Sequence, residues 1–210
     1  MIVEAVPDAD ELRDHWWWRP GWDAGTRYLA WHLTFEGQED LHRAVEAYQG
    51  ALDVVPALEP VPLPWLHLTM AGIGHRREIP EESLPDVITA VHERLLGRSR
   101  MPIDFGRVVV FAESVVLEPD PADAVLDLQR SLAGSVRAAL GARAPESGAS
   151  FVPHVSLAYA SGPQRGATVV EALEGVTMDP IRGVEATLSL VELQRDRRRY
   201  EWRTIHAFPL

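Results

Sequence analysis

Two four-residue units of this chain could do chemistry together: His67-Leu68-Thr69-Met70 and His154-Val155-Ser156-Leu157. Each lies in an apolar segment that predicts a β-strand. In an extended strand residues two apart share a face, so His67 projects with Thr69 and His154 with Ser156, while Leu68, Met70, Val155 and Leu157 anchor the opposite face. Across a cleft, such strands would supply two titratable imidazoles and two hydroxyl donors. One imidazole can take a proton while the other gives one, and the hydroxyls can bond oxygens on which charge builds, which is what acid–base cleavage of a phosphodiester needs. The chain contains no cysteine, so thiol nucleophiles, thiolate metal sites and disulfides are excluded.

The surrounding pattern says what must hold these strands. Arg27 to Phe35 predicts a first strand, and Leu41, Ala44, Val45 and Leu52 give Glu39 to Leu52 the spacing of an amphipathic helix. After a link containing Pro56, Pro60, Pro62 and Pro64 comes the first motif strand, Leu66 to Gly72, closed by Gly72 and Gly74. A helix is predicted from about Glu81 to Leu96, strands over Ile103 to Phe111 and Ser114 to Leu117, and a helix from about Pro121 to Leu140. Gly141 to Ser150 predicts a polar loop, Phe151 to Tyr159 the second motif strand, and Thr168 to Leu173 a short helix. Glu185 to Gln194 and Tyr200 to Phe208 predict a hairpin turned by Asp196-Arg197-Arg198-Arg199. This order favours an α+β architecture with antiparallel pairing over a doubly wound parallel sheet.

At 210 residues and 46% hydrophobic content, the chain can bury a substantial core as one large domain or two small lobes. A net charge of −11 argues against a broad footprint on duplex nucleic acid, which relies on clustered Lys and Arg, so a nucleic-acid substrate should be short or an end. Arg195, Arg197, Arg198 and Arg199 are a local exception, which the general tendency of charge runs reads as a solvated turn. The acidic start lacks the pattern of a signal peptide, and no apolar run approaches the roughly 20 residues that cross a bilayer. A cytoplasmic protein without membrane partners is the expectation.

At its two His units the chain resembles the 2H phosphoesterase superfamily, whose signature is a pair of His-x-Thr/Ser-x motifs. A lone His-x-Thr carries little, because Thr is common in strands; the pair in matching strand contexts carries the resemblance. Supporting it are Gly72 and Gly74 after the first unit, Pro153 before the second, and Val115-Val116-Leu117 leading into a helix with Leu128-Gln129-Arg130-Ser131-Leu132, which is similar to the bacterial 2′-5′ RNA ligase-like branch. The resemblance covers roughly Arg27 to Phe208 and implies one bilobal domain, residues 27–210, with two antiparallel sheets backed by helices around a central cleft. Residues 1–26, rich in tryptophan, lie outside it as an N-terminal extension. It further implies metal-independent hydrolysis of a 2′,3′-cyclic phosphate on an RNA end or small nucleotide, with no cofactor. His67, Thr69, His154 and Ser156 would be catalytic, with His154 as base and His67 as acid. Imidazoles of ordinary pKa, about 6.5, would give a bell-shaped rate profile around neutrality. End-joining in the ligase direction and a non-catalytic nucleotide-binding module are the alternatives.

A third unit, His32-Leu33-Thr34-Phe35, also fits the pattern, and His32 is a candidate to line the cleft, or else a structural histidine. Trp18 and Trp22, flanking Arg19 and Pro20, are candidates for stacking on a base as a lid or patch; Trp31 and Trp65 are expected in the core. Strand parity places Tyr159 with Val155 and Leu157, away from the cleft. His15, His42, His75, His92 and His206 are expected as surface or capping residues, and no histidine spacing favours zinc.

Overall fold

The computed structural model describes residues 1–98, 100–145 and 151–210. In chain order the elements are β1 (Ile2–Ala5), β2 (Glu11–Leu12), β3 (Tyr28–Thr34), α1 (Glu39–Leu52), β4 (Leu58–Pro60), β5 (His67–His75), α2 (Leu84–Leu95), β6 (Ile103–Val110), β7 (Ser114–Pro119), α3 (Asp123–Leu140), β8 (Val155–Ala160), β9 (Gln164–Arg165), α4 (Gly166–Glu174), β10 (Ile181–Val184), β11 (Thr187–Gln194) and β12 (Glu201–Pro209). One sheet runs β12-β11-β3-β5, antiparallel throughout. The other runs β1-β6-β7-β8-β4, with β10 sharing an edge of β6. The expected α+β architecture of two main sheets and helices is the one found, with β2 and β9 forming a small third pair. One pair departs from antiparallel: β1 lies parallel to β6, with Ile2 opposite Arg107.

The helices form where apolar residues recur at helical spacing. α1 buries Leu41, Ala44, Val45, Tyr48 and Leu52 on one stripe and carries Glu39 and Asp40 in its first turn, where carboxylates suit the positive end of the helix dipole. It packs against α4, β8 and β10, although it follows β3; α3 follows β7, yet packs against α2 and β5. The chain thus passes repeatedly between the sheets, and each sheet is backed partly by helices from the other's stretch of sequence. The helix predicted from Glu81 begins as a single 3-10 turn, Glu81–Ser83, and becomes α only at Leu84. Of the loop predicted over 141–150, Gly141–Arg143 forms another such turn and 146–150 lie outside the described residues.

Two boundaries near the motifs differ from expectation. β5 does not stop at its glycines but continues to His75. A Cβ on Gly72 would sit 2.6 Å from Tyr28 Oη, so the missing side chain is what lets Tyr28 of β3 lie across the strand. Gly74, at φ +141°, takes a conformation that other residues resist. β8 starts at Val155, which leaves His154 at its entrance rather than inside it.

Residues 1–26, expected as an extension, contribute β1 to the second sheet and β2 to a separate two-stranded pair. β1 adds a strand beside β6, and β2 pairs with β9, with Glu11 opposite Arg165. These strands, of 4 and 2 residues, are too short to show a period, and their partners are far away in sequence. Gly166, the first residue of α4, donates its N–H to Asp10 O, and a Cβ there would collide with the carbonyl of Ala9. Gly166→Ala should therefore loosen the N-terminal segment and lower stability by about 2 kcal/mol, a Tm drop of roughly 4–8 °C by calorimetry. An unchanged Tm would mean that the segment is not packed as described.

Candidate active site

The first motif is set by pairing of β3 with β5, which places Thr34 opposite His67 and His32 opposite Thr69. The register then skips Met70, after which Ala71 faces Trp31 and Gly72 faces Ala30. The second motif sits at the start of β8, where Ser156 pairs with Val116 of β7. Here too a residue is skipped, Leu157, before Ala158 pairs with Val115. The skip reverses the alternation, so Tyr159 comes back to the face of Ser156. That corrects the parity assignment: Tyr159 lines the cleft, stacked on His15 with ring centroids 4.1 Å apart.

The sheets meet over a cavity of about 380 Å³ whose walls include His67, Thr69, His154, Ser156, His32 and Trp22. Each motif imidazole is fixed in the same way. His67 Nδ1 is 2.8 Å from Trp65 O, and His154 Nδ1 is 2.8 Å from Val152 O. A carbonyl only accepts, so each Nδ1 carries the proton and each Nε2 is left to the cleft. Ser156 is buried beside Tyr159, whereas Thr69 is open to the cleft. His32 lies beneath, its ring parallel to that of His67 at 4.3 Å and its Nε2 a long 3.4 Å from Thr69 Oγ1. Trp18 is not in the cavity; it is about half exposed, with its ring beside the Arg195 guanidinium. Trp31 is fully buried in the core, as expected, and Trp65 packs edge-on against Trp202.

Burial depresses the protonation of every imidazole here. His67 is pushed down to about 4, chiefly because burial removes solvent from the charged form; its bond to Trp65 O opposes this, and His154 adds to it. His154 is lowered by the same loss of solvation, against its bond to Val152 O. His32, wholly enclosed, is held well below the ordinary value by burial and by His67. The cleft is therefore a set of neutral imidazoles at pH 7. Among the described residues no group of three or more His, Asp or Glu side chains is gathered as a metal ligand set.

His15, expected at the surface or as a cap, is buried in the wall of this cavity. The segment carrying it is tied down at two places. Glu113, in the turn between β6 and β7, accepts from Arg19 at 2.8 Å and from Trp17 Nε1 at 3.2 Å. Arg195, expected in a solvated turn, is only 3% exposed; it donates to the carbonyls of His15 and Trp17 and lies against the rings of Trp16, Trp18, Trp22 and Tyr200. Arg197, Arg198 and Arg199 are exposed, as a solvated turn requires. Sequence reasoning missed His15, Tyr28, Tyr159 and Tyr200 as cavity residues. The one available signal was the position of His15 at the head of Trp16-Trp17-Trp18.

Among the described residues no helix is long and apolar enough to cross a membrane. The fold is similar to that of TT0787 of Thermus thermophilus, with a TM-score of 0.63, 25% identity, and 87% of this chain and 97% of that one covered. It is also similar to E. coli LigT crystallised with 3′-AMP, with a TM-score of 0.62, 17% identity and coverage of 88% and 98%. A third similar structure is a phosphoesterase, with a TM-score of 0.57, 19% identity and coverage of 88% and 98%. No curated protein is significantly similar in sequence. The model of the 2′-5′ RNA ligase superfamily matches residues 37–198, which take in both histidine motifs, and the chain belongs to that family of 2H phosphoesterases.

Proposed function

We propose that this protein hydrolyses a 2′,3′-cyclic phosphate, on an RNA end or a small nucleotide, by acid–base catalysis between His67 and His154. What carries this is the matched pair: two imidazoles from two sheets, each tethered through Nδ1 to a carbonyl two residues back, each with Nε2 and a hydroxyl facing one cavity. LigT, which shares the fold, has been crystallised with 3′-AMP and with phosphate, groups of the kind such a cleft would hold.

In this reading His154 Nε2 takes a proton from water as its oxygen attacks phosphorus. His67, protonated at Nε2, gives its proton to the ribose oxygen as the P–O bond breaks. Thr69 and Ser156 donate to the non-bridging oxygens, where charge grows. His32 touches no reacting atom in this scheme; it supports His67 from below. Both histidines serve the reverse reaction equally well, so end-joining would use the same groups.

The experiment is metal-free turnover of the four 2′,3′-cyclic nucleotides and a short RNA ending in a cyclic phosphate. His67→Ala and His154→Ala should each lose about 10²–10⁴ in rate, the usual worth of a positioned acid or base. Thr69→Ala and Ser156→Ala should each lose on the order of 10²–10³, as for one oxyanion donor. Full activity in His154→Ala would sink the proposal, and nucleotide binding without turnover in the wild type would indicate a binding module.

The pH profile should also depart from neutrality. With both imidazoles lowered, the kcat/KM bell, which reports the free protein, should centre below pH 6.5. It rises as the base loses its proton and falls as the acid loses its own. A bound phosphodiester anion favours imidazolium, so the descending limb of kcat should lie at higher pH than that of kcat/KM. Coincident profiles centred at or above 6.5 would contradict this.

A further inference from the structure

The wall of the cleft that residues 1–26 supply contains a connected set of polar groups with no part in the reaction above. Glu113 Oε2 lies 3.3 Å from His15 Nδ1, at ion-pair distance rather than in a hydrogen bond, and His15 Nε2 lies 3.1 Å from Tyr200 Oη. His15 is buried, and Nδ1 has no hydrogen-bond partner among the described residues. A neutral imidazole beside a carboxylate keeps its proton on the nitrogen facing that carboxylate, which leaves Nε2 as an acceptor. The phenol of Tyr200 must then donate to His15. The Arg19 guanidinium lies beside the same phenol. The phenol oxygen keeps its acceptor capacity, and the Tyr200 ring, 5.9 Å from that of His67, lines the cavity.

We infer that Tyr200 is a specificity-determining contact, accepting a hydrogen bond from an N–H or O–H of the bound nucleotide, and that His15 is the positioning residue that orients its phenol. This rests on the proposed phosphodiesterase reading. A phenol committed as donor to His15 can offer the substrate only an acceptor, so it selects a neutral donor group and does not serve the phosphate oxygens. The chemistry also gives residues 1–26, which lie outside the family match, a part in recognition through the phenol that His15 orients. Their other cavity side chain, Trp22, stands by the same wall.

Adenosine 2′,3′-cyclic phosphate carries two kinds of hydrogen-bond donor, the 6-amino group and the 5′-hydroxyl. The test therefore uses it beside its purine riboside analogue, which lacks the amine, and its 5′-deoxy analogue. Tyr200→Phe should raise KM about tenfold, the worth of one such hydrogen bond, with kcat changed less than threefold. His15→Ala should reproduce that KM, His15→Gln, which retains an acceptor, should recover most of it, and the double variant should be no worse than Tyr200→Phe. The Tyr200→Phe effect should vanish with whichever analogue lacks the partner, which assigns the donor to base or sugar. An unchanged KM in Tyr200→Phe, an effect that persists with both analogues, or additive losses in the double variant would overturn the inference while leaving the phosphodiesterase reading intact. No metal-free turnover by the wild type, or full turnover by His154→Ala, would remove that reading and this inference with it.

Discussion

Two imidazoles in the wall of one small cleft, His67 buried and His154 half-buried, can share it only while neither is charged, and this constraint shapes everything around the cavity. Protonating either without a counter-ion would place a cation in a poorly solvated wall beside another titratable ring. The carbonyls of Trp65 and Val152 resolve which neutral form is present by occupying each Nδ1 proton. The residues ahead of each histidine are therefore as much a part of the site as the histidine itself. An anion in the cleft reverses the balance, because it is the one partner that makes an imidazolium favourable there.

Holding that geometry requires that the two sheets not drift apart. The crossing of α1 and α3 between them ties each sheet to helices from the other's stretch of chain, and a continuous core runs from Leu29, Trp31 and Leu33 to Val108, Leu117 and Leu157. β5 and β8, which carry the two motifs, are in contact. Opening the cleft by separating the sheets would break buried apolar contacts on both sides, so exchange of ligand falls to the side chains and loops at the rim.

The N-terminal segment adds a second electrostatic arrangement at one wall. Arg195 is a buried cation whose Nη1 has no hydrogen-bond partner among the described residues; its charge is met by two backbone carbonyls and the faces of four aromatic rings. Glu113 is the complementary hub, facing Arg19, Arg13 and His15. Positive charge from Arg19 and Arg195 also helps to keep His15 neutral, pushed down to about 3 mainly by its burial. The tryptophans of this stretch thus serve to dock a loop; Trp22 alone among Trp16, Trp17, Trp18 and Trp22 lines the cavity that holds the two histidine motifs.

The amino-acid sequence by itself determined the elements whose signal is local. α1 has its expected bounds and buries Leu41, Ala44, Val45 and Leu52 as their period requires, with Tyr48 added, the hairpin of β11 and β12 turns at its arginines, and the two His-x-Thr/Ser-x units announce their shared face because strand alternation is a property of the backbone. Tertiary structure alone decided what depends on partners far along the chain. The skipped residues at Met70 and Leu157 come from pairing with β3 and β7, and the second of them turned Tyr159 into the cleft against its parity. Likewise β1 and β2 exist because β6 and β9 offer them edges, and His15 is a cavity residue because Arg195 and Glu113 hold its loop in place. A periodicity can be read from neighbours in sequence; a bulge, an edge or a buried ion requires the surface against which it forms.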